Sequence, residues 1–169
     1  MTQMKTSSDE MKVAIIANGK PQSRRVASKL FNAFRDDPDF YLTKKNPDVV
    51  ISIGGDGMLL SAFHMYEKEL ARVRFVGIHT GHLGFYTDYL DSEVDQLIES
   101  LKQDKGEHVS YPLLDVNVKF KSGDVIRYAA LNEATLRKVN GTLLCEVYIN
   151  GELFENFRGD GLCVATPTG

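Results

Sequence analysis

The residues best suited to chemistry are Gly54-Gly55-Asp56-Gly57, a carboxylate set among three glycines. An apolar run, Val49 to Ile53, leads into them, and a helix-like run begins at Met58. Glycines between a strand and a helix permit unusual backbone angles and let a ligand approach the main chain. The free N–H groups and dipole at the helix start favour a phosphate. A carboxylate at that place could hold Mg²⁺ between phosphates. It could instead take the proton from a hydroxyl that attacks a phosphoryl group. The plain alternative is that Asp56 only caps the following helix. The stretch is not a Walker loop, because no Lys-Ser/Thr pair follows, and it lacks the third glycine of a dinucleotide fingerprint.

Three further segments carry related chemistry. Gly77 to Phe85, GIHTGHLGF, is a second glycine loop behind a strand. Asn132-Glu133 combines an amide and a carboxylate, a pair suited to ribose hydroxyls or an adenine edge. Arg158-Gly159-Asp160-Gly161 repeats the Gly-Asp-Gly pattern beside an arginine that could bind a phosphate. Singly, each has an ordinary structural explanation: a βα connection, a solvated polar pair, a surface arginine on a strand. His79 and His82 lie three apart with no third or fourth metal ligand nearby. They are read as loop hydrogen-bonding residues, with His79 buried, and no metal bound directly by protein ligands is expected.

These residues need a scaffold, and the first part of the chain supplies alternating strands and helices. Val13 to Ala17, Val49 to Ile53 and Arg74 to His79 are short apolar runs of buried-strand type. Ser23 is read as the cap of a helix in which Val26, Leu30 and Phe34, with Ala27 and Phe31 beside them, form one apolar face. A second helix is expected from Met58 to Tyr66. A third, capped by Ser92, carries Val94, Leu97, Ile98 and Leu101. Repeated strand–helix units imply a parallel sheet covered by helices.

After Gly106 the period changes from helical to alternating. Leu114, Val116, Val118 and Phe120 alternate with polar residues, and Val125 to Leu131 reads as the returning strand. Cys145, Val147 and Ile149 mark another strand, and Asn150-Gly151 and Asn140-Gly141 mark turns. The expected organisation is a disordered start over 1–10, an α/β phosphate-binding domain over 11–106, and a β-rich antiparallel domain over 107–169 that is incomplete.

Composition narrows the function classes. The chain has 169 residues, with 20 Lys+Arg against 23 Asp+Glu and a net charge of −3. That balance does not suggest a nucleic-acid surface. No apolar run is long enough to cross a bilayer, and the N-terminus lacks the apolar core of a secretory signal. Cys145 and Cys163 have no metal-type spacing and read as small, buried, reduced thiols of a cytoplasmic protein.

Together, GGDG at 54–57, GxxTGHLGF at 77–85, Asn-Glu at 132–133 and GDGLxVATPTG at 159–169 resemble the NAD kinase family. GGDG alone is shared with diacylglycerol-type lipid kinases and phosphofructokinases; the combination is far more specific. The resemblance implies transfer of a phosphoryl group from Mg²⁺-ATP, or in some members polyphosphate, to the adenosine-ribose 2′-hydroxyl of NAD, giving NADP. It implies a Rossmann-like α/β domain followed by a β-rich domain. It assigns Asp56 as the catalytic base and Gly54, Gly55 and Gly57 as the phosphate loop. Phe85, Asn132 and Glu133 match NAD-binding positions, and Arg158 and Asp160 fall in a segment contributing to that site. It further implies a homodimer or homotetramer.

Two departures from the family pattern stand out. His79 occupies a position where many members carry Asn. The family motif also runs on past TPTG into Ser-Thr-Ala-Tyr and more β domain, so the chain reads as C-terminally truncated and this fragment as a candidate for inactivity alone. The alternatives are a diacylglycerol-type lipid kinase and a non-catalytic NAD(P)-binding fragment.

Overall fold

A computed structural model describes residues 10–81 and 84–169. The expected disordered start therefore lies, but for Glu10, outside the described residues, as does His82. The chain forms two compact units that divide between Val109 and Ser110. Residues 107–113 form neither helix nor strand.

The first unit is built on a parallel sheet of five strands: β1 (Met11–Ala17), β2 (Phe40–Leu42), β3 (Val49–Gly54), β4 (Arg74–His79) and β5 (Tyr89–Leu90). Their spatial order is β2-β1-β3-β4-β5, and every pairing is parallel. Strand β3 is buried at every residue, as its unbroken apolar run requires. Helices α1 (Pro21–Arg35) and α3 (Val94–Lys102) supply Leu30, Phe34, Val94 and Leu97 to a core with Val13, Ile51 and Ile53. Helix α2 (Asp56–Met65) belongs to a separate cluster in which Ala62 and Tyr66 meet Ala14, Ile16 and Val50. Neighbouring residues of one strand face opposite sides of a sheet. Ala14 and Val50 thus join one core while Val13 and Ile51 join the other, so the sheet is covered on both faces.

Helix α1 begins at Pro21, whose fixed φ and missing N–H suit the first helical position. Ser23 is therefore inside the helix rather than at its cap; it is fully buried, its hydroxyl 2.7 Å from that of Thr80. Phe31 departs from the expected apolar face and is 47% exposed. Ser92 lies in a short 3₁₀ turn, Asp91–Glu93, and Glu93 precedes α3. The two short strands β2 and β5 had no separate sequence signal, being only three and two residues long.

The second unit contains three antiparallel ribbons. Strand β6 (Leu114–Lys119) pairs with β7 (Val125–Ala130), β8 (Glu133–Arg137) with β11 (Gly161–Ala165), and β9 (Leu143–Ile149) with β10 (Glu152–Gly159). Asn150 and Gly151 both have positive φ, 53° and 86°, and close the β9–β10 hairpin. That is the backbone a two-residue hairpin turn requires. Cys163 is exposed and Cys145 half-buried, against the expectation of buried thiols. Both lie on ribbons whose side chains are mostly open to solvent.

Candidate active site

The sheet order reverses direction between β1 and β3. In doubly wound sheets, ligands bind beyond the carboxyl ends of the strands at such a reversal. Two turns meet there. One is Asn18-Gly19-Lys20 after β1; the Asn18 N–H donates to the Ile53 carbonyl at 3.2 Å. The other is Gly54 to Gly57 after β3. A Cβ placed on Gly54 would stand 2.8 Å from Asn18 Nδ2 and 2.9 Å from Met58 Cβ, so this glycine is demanded by packing. Gly55 and Gly57 differ. A Cβ on either would meet nothing within 4 Å, and Gly55 has an ordinary extended backbone, φ −122°. The fold does not need them to be glycine. Their bareness instead leaves the main chain at the start of α2 open to an approaching group.

Asp56 is the first residue of α2, half-buried, where a negative charge is favoured by the helix dipole. It makes no side-chain cap of that helix, because Gly55 occupies the cap position. Its carboxylate instead accepts two main-chain bonds from the loop after β4. Phe85 N–H donates to Oδ2 at 2.9 Å and Tyr86 N–H donates to Oδ1 at 3.0 Å. The simple capping role considered for Asp56 is thereby replaced by a link to a second loop.

That loop is anchored at its far end. The Asp88 N–H donates to the Gly77 carbonyl, and the Gly77 N–H donates to Asp88 Oδ2, both at 2.8 Å. Burial pushes the Asp88 carboxyl above the ordinary carboxylate range, against the Gly77 N–H, which pulls it down. A Cβ on Gly77 would collide with the Tyr86 carbonyl and stand 3.0 Å from Thr87 Cα. Tyr86 is buried, while the neighbouring Phe85 ring is 90% exposed. His79, at the end of β4, is buried; its Nδ1–H donates to the Gly81 carbonyl at 3.3 Å, and its Nε2 has no hydrogen-bond partner among the described residues.

In the second unit, Asn132 and Glu133 stand at the start of β8, beside the end of β11, where Ala165 pairs with Glu133. Thr166 N–H donates to the Asn132 carbonyl at 2.7 Å, and its hydroxyl donates to the Leu131 carbonyl at 2.6 Å. Gly169 folds back so closely that a Cβ there would lie 2.6 Å from the Asn132 carbonyl carbon. Arg158 is exposed on β10 opposite Leu144, and Asp160 is exposed between β10 and β11. The structure thus gathers Asp56, the glycine turn and the Phe85 loop in the first unit. It gathers Asn132, Glu133 and the Thr166–Gly169 segment in the second. The Phe85 and Tyr86 amides were missed because a main-chain donor has no residue-type signature.

The sequence profile of the ATP-NAD kinase N-terminal domain matches residues 6–106, more than half of the chain. The chain belongs to the ATP-NAD kinase family. It is 77% identical over 169 residues to a protein named NAD kinase from Streptococcus thermophilus (strain CNRZ 1066). It is 66% identical over the same length to one from Streptococcus pyogenes serotype M1. Each alignment covers 100% of this chain and 61% of the relative, so the chain spans about three-fifths of the length of these curated relatives. Among solved structures, the crystal structure of yeast NADH kinase complexed with NADH is similar over 96% of this chain and 59% of that one. Its TM-score is 0.80 at 19% identity, a likeness of fold. The described residues contain no helix long and apolar enough to cross a membrane.

Proposed function

We propose that this chain is the nucleotide-phosphorylating part of an NAD kinase, which transfers the terminal phosphoryl group of Mg²⁺-ATP to the adenosine-ribose 2′-hydroxyl of NAD. The observation that carries this reading is the pair of unforced glycines, Gly55 and Gly57, flanking a fixed carboxylate. Bare main chain at a helix start suits phosphates, and a carboxylate among them suits a proton acceptor. The ribose oxygen forms a bond to the γ-phosphorus, the bond from that phosphorus to the ADP oxygen breaks, and the hydroxyl proton passes to Asp56. The amides at the start of α2 stabilise charge on the transferring group. The divalent cation enters with the nucleotide, as part of the Mg²⁺-ATP substrate.

The exposed Phe85 ring suits stacking on the NAD base. Asn132 and Glu133 supply hydrogen-bonding groups for NAD, and Arg158 and Asp160 belong to the same binding segment. Inorganic polyphosphate is a second candidate donor. A cytoplasmic setting and a homodimer or homotetramer complete the proposal on family resemblance.

The test is NADP formation from NAD and Mg²⁺-ATP by the full-length protein, with Asp56→Asn beside it. The expected result is product from the parent and turnover lower by about a hundredfold or more in the variant, with NAD binding retained. Equal turnover would remove Asp56 from the reaction.

A further inference from the structure

The Asp56 carboxylate lies directly against the Cα of Gly84. A Cβ built on Gly84 would collide with Asp56 Oδ1 and would stand 2.6 Å from Cγ and 2.8 Å from Oδ2. No L-amino-acid side chain fits at 84 while Asp56 keeps its bonds to the Phe85 and Tyr86 amides. The same loop holds a contrasting glycine: a Cβ on Gly81 would meet nothing within 4 Å among the described residues. Resting on the phosphoryl-transfer reading above, we propose that Gly84 is a positioning residue, whose missing side chain lets the amides of Phe85 and Tyr86 clamp the Asp56 carboxylate in its working orientation.

The clamp suits a proton acceptor. A carboxylate has about four acceptor positions, so two amide bonds fix its plane and leave capacity for an incoming proton. The donors are main-chain groups, which need no rotamer choice of their own. They are set in turn by the Gly77–Asp88 pair of hydrogen bonds, which ties the far side of the loop to β4. Asp56 at the start of one helix is thus aligned by a loop from a different βα unit.

The experiment compares Gly84→Ala with Gly81→Ala in the full-length protein. Hydrogen exchange at the Phe85 and Tyr86 amides reads the clamp, and NADP formation reads its use. Gly84→Ala is expected to speed exchange at both amides about tenfold or more. It should lower kcat about a hundredfold, as a misplaced catalytic group does, and leave KM for NAD and ATP within about threefold. Gly81→Ala should leave all of these near parent values. A kcat loss no larger than that of Gly81→Ala, or unchanged exchange in Gly84→Ala, overturns the proposal while leaving the kinase reading intact. A parent that forms no NADP overturns the kinase reading and this inference with it. If Gly84→Ala does not fold, Asp56→Ala tests the other half of the clamp, and unchanged exchange at Phe85 and Tyr86 there also overturns it.

Discussion

The chain contains Gly-Asp-Gly twice, at 55–57 and at 159–161, and the two copies do opposite things with their glycines. At 55 and 57 a Cβ would enter open space. At 159 it would stand 2.7 Å from the Phe157 ring, and at 161 it would stand 2.6 Å from the Leu136 carbonyl oxygen. The fold does not force the first pair to be glycine. In the second pair Gly161 is required by the fold, because β11 runs beside β8 with no room for a side chain, while Gly159 is crowded by the Phe157 ring of its own strand. The aspartates differ likewise. Asp56 is held by two amides, whereas Asp160 is exposed between two strands. An identical tripeptide therefore says little until it is known what surrounds each Cα.

The largest expected contrast is between the aspartates. Asp56→Asn should lower kcat about a hundredfold, equal to about 3 kcal/mol of barrier. Asp160→Asn should act on KM for NAD by a few-fold and spare kcat. Equal kcat losses would erase the distinction. Next come the packed glycines. Gly161→Ala presses on backbone, which yields less readily than the Phe157 ring beside Gly159, so it should cost about 2 kcal/mol of stability. Chemical denaturation of the two alanine variants would show whether Gly161→Ala is the worse one.

A smaller effect tests the strand beneath the first copy. Arg74, at the start of β4, donates to Asp104 Oδ1 at 2.9 Å and also bonds Oδ2, beyond the end of α3. The hydrogen bond from Arg74 holds the Asp104 carboxyl below its ordinary value, with the Gly106 N–H assisting against burial. The stability this gives is fully present above the ordinary carboxylate pKa and is lost as pH falls through the lowered one. Asp104→Asn should cost about 1–2 kcal/mol at neutral pH and flatten the acid side of the stability profile. An unchanged acid limb in thermal melts would count against the pair. The smallest shift has the opposite sign. Gly57→Ala adds a better helix former to α2 without a clash, so it should raise stability by about 0.5–1 kcal/mol. Turnover should nonetheless fall about tenfold if a phosphate needs that space. Gain of stability with full activity would mean the open glycine serves no ligand.

Much of the scaffold was legible in local pattern. Strand β4 ran over the residues its apolar run marked, and β3 did so to within one residue; β3 is buried at every position, which leaves a continuous signal. The pattern after Gly106 likewise marked the ribbon β6–β7 and strand β9, and Asn150-Gly151 marked the hairpin turn after β9. Helix α1 was found, but its start was misplaced at Ser23. The hydroxyl that looked like a cap was needed by Thr80, 57 residues away in sequence. Phe31 was put on the wrong side of the helix rim because an apolar residue next to a stripe need not be covered by it.

The sequence by itself determined the residue types of the site and their grouping into glycine turns that follow strands, since strand, turn and helix preferences act over a few neighbours. Family membership followed from the same motifs in the same order. The tertiary structure alone decided which glycines are free and which are forced, that Asp56 answers to the amides of Phe85 and Tyr86, and that Gly84 must lack a side chain. Those facts depend on backbone atoms brought together from segments about thirty residues apart, and main-chain donors are the same at every position, so no residue type announces them.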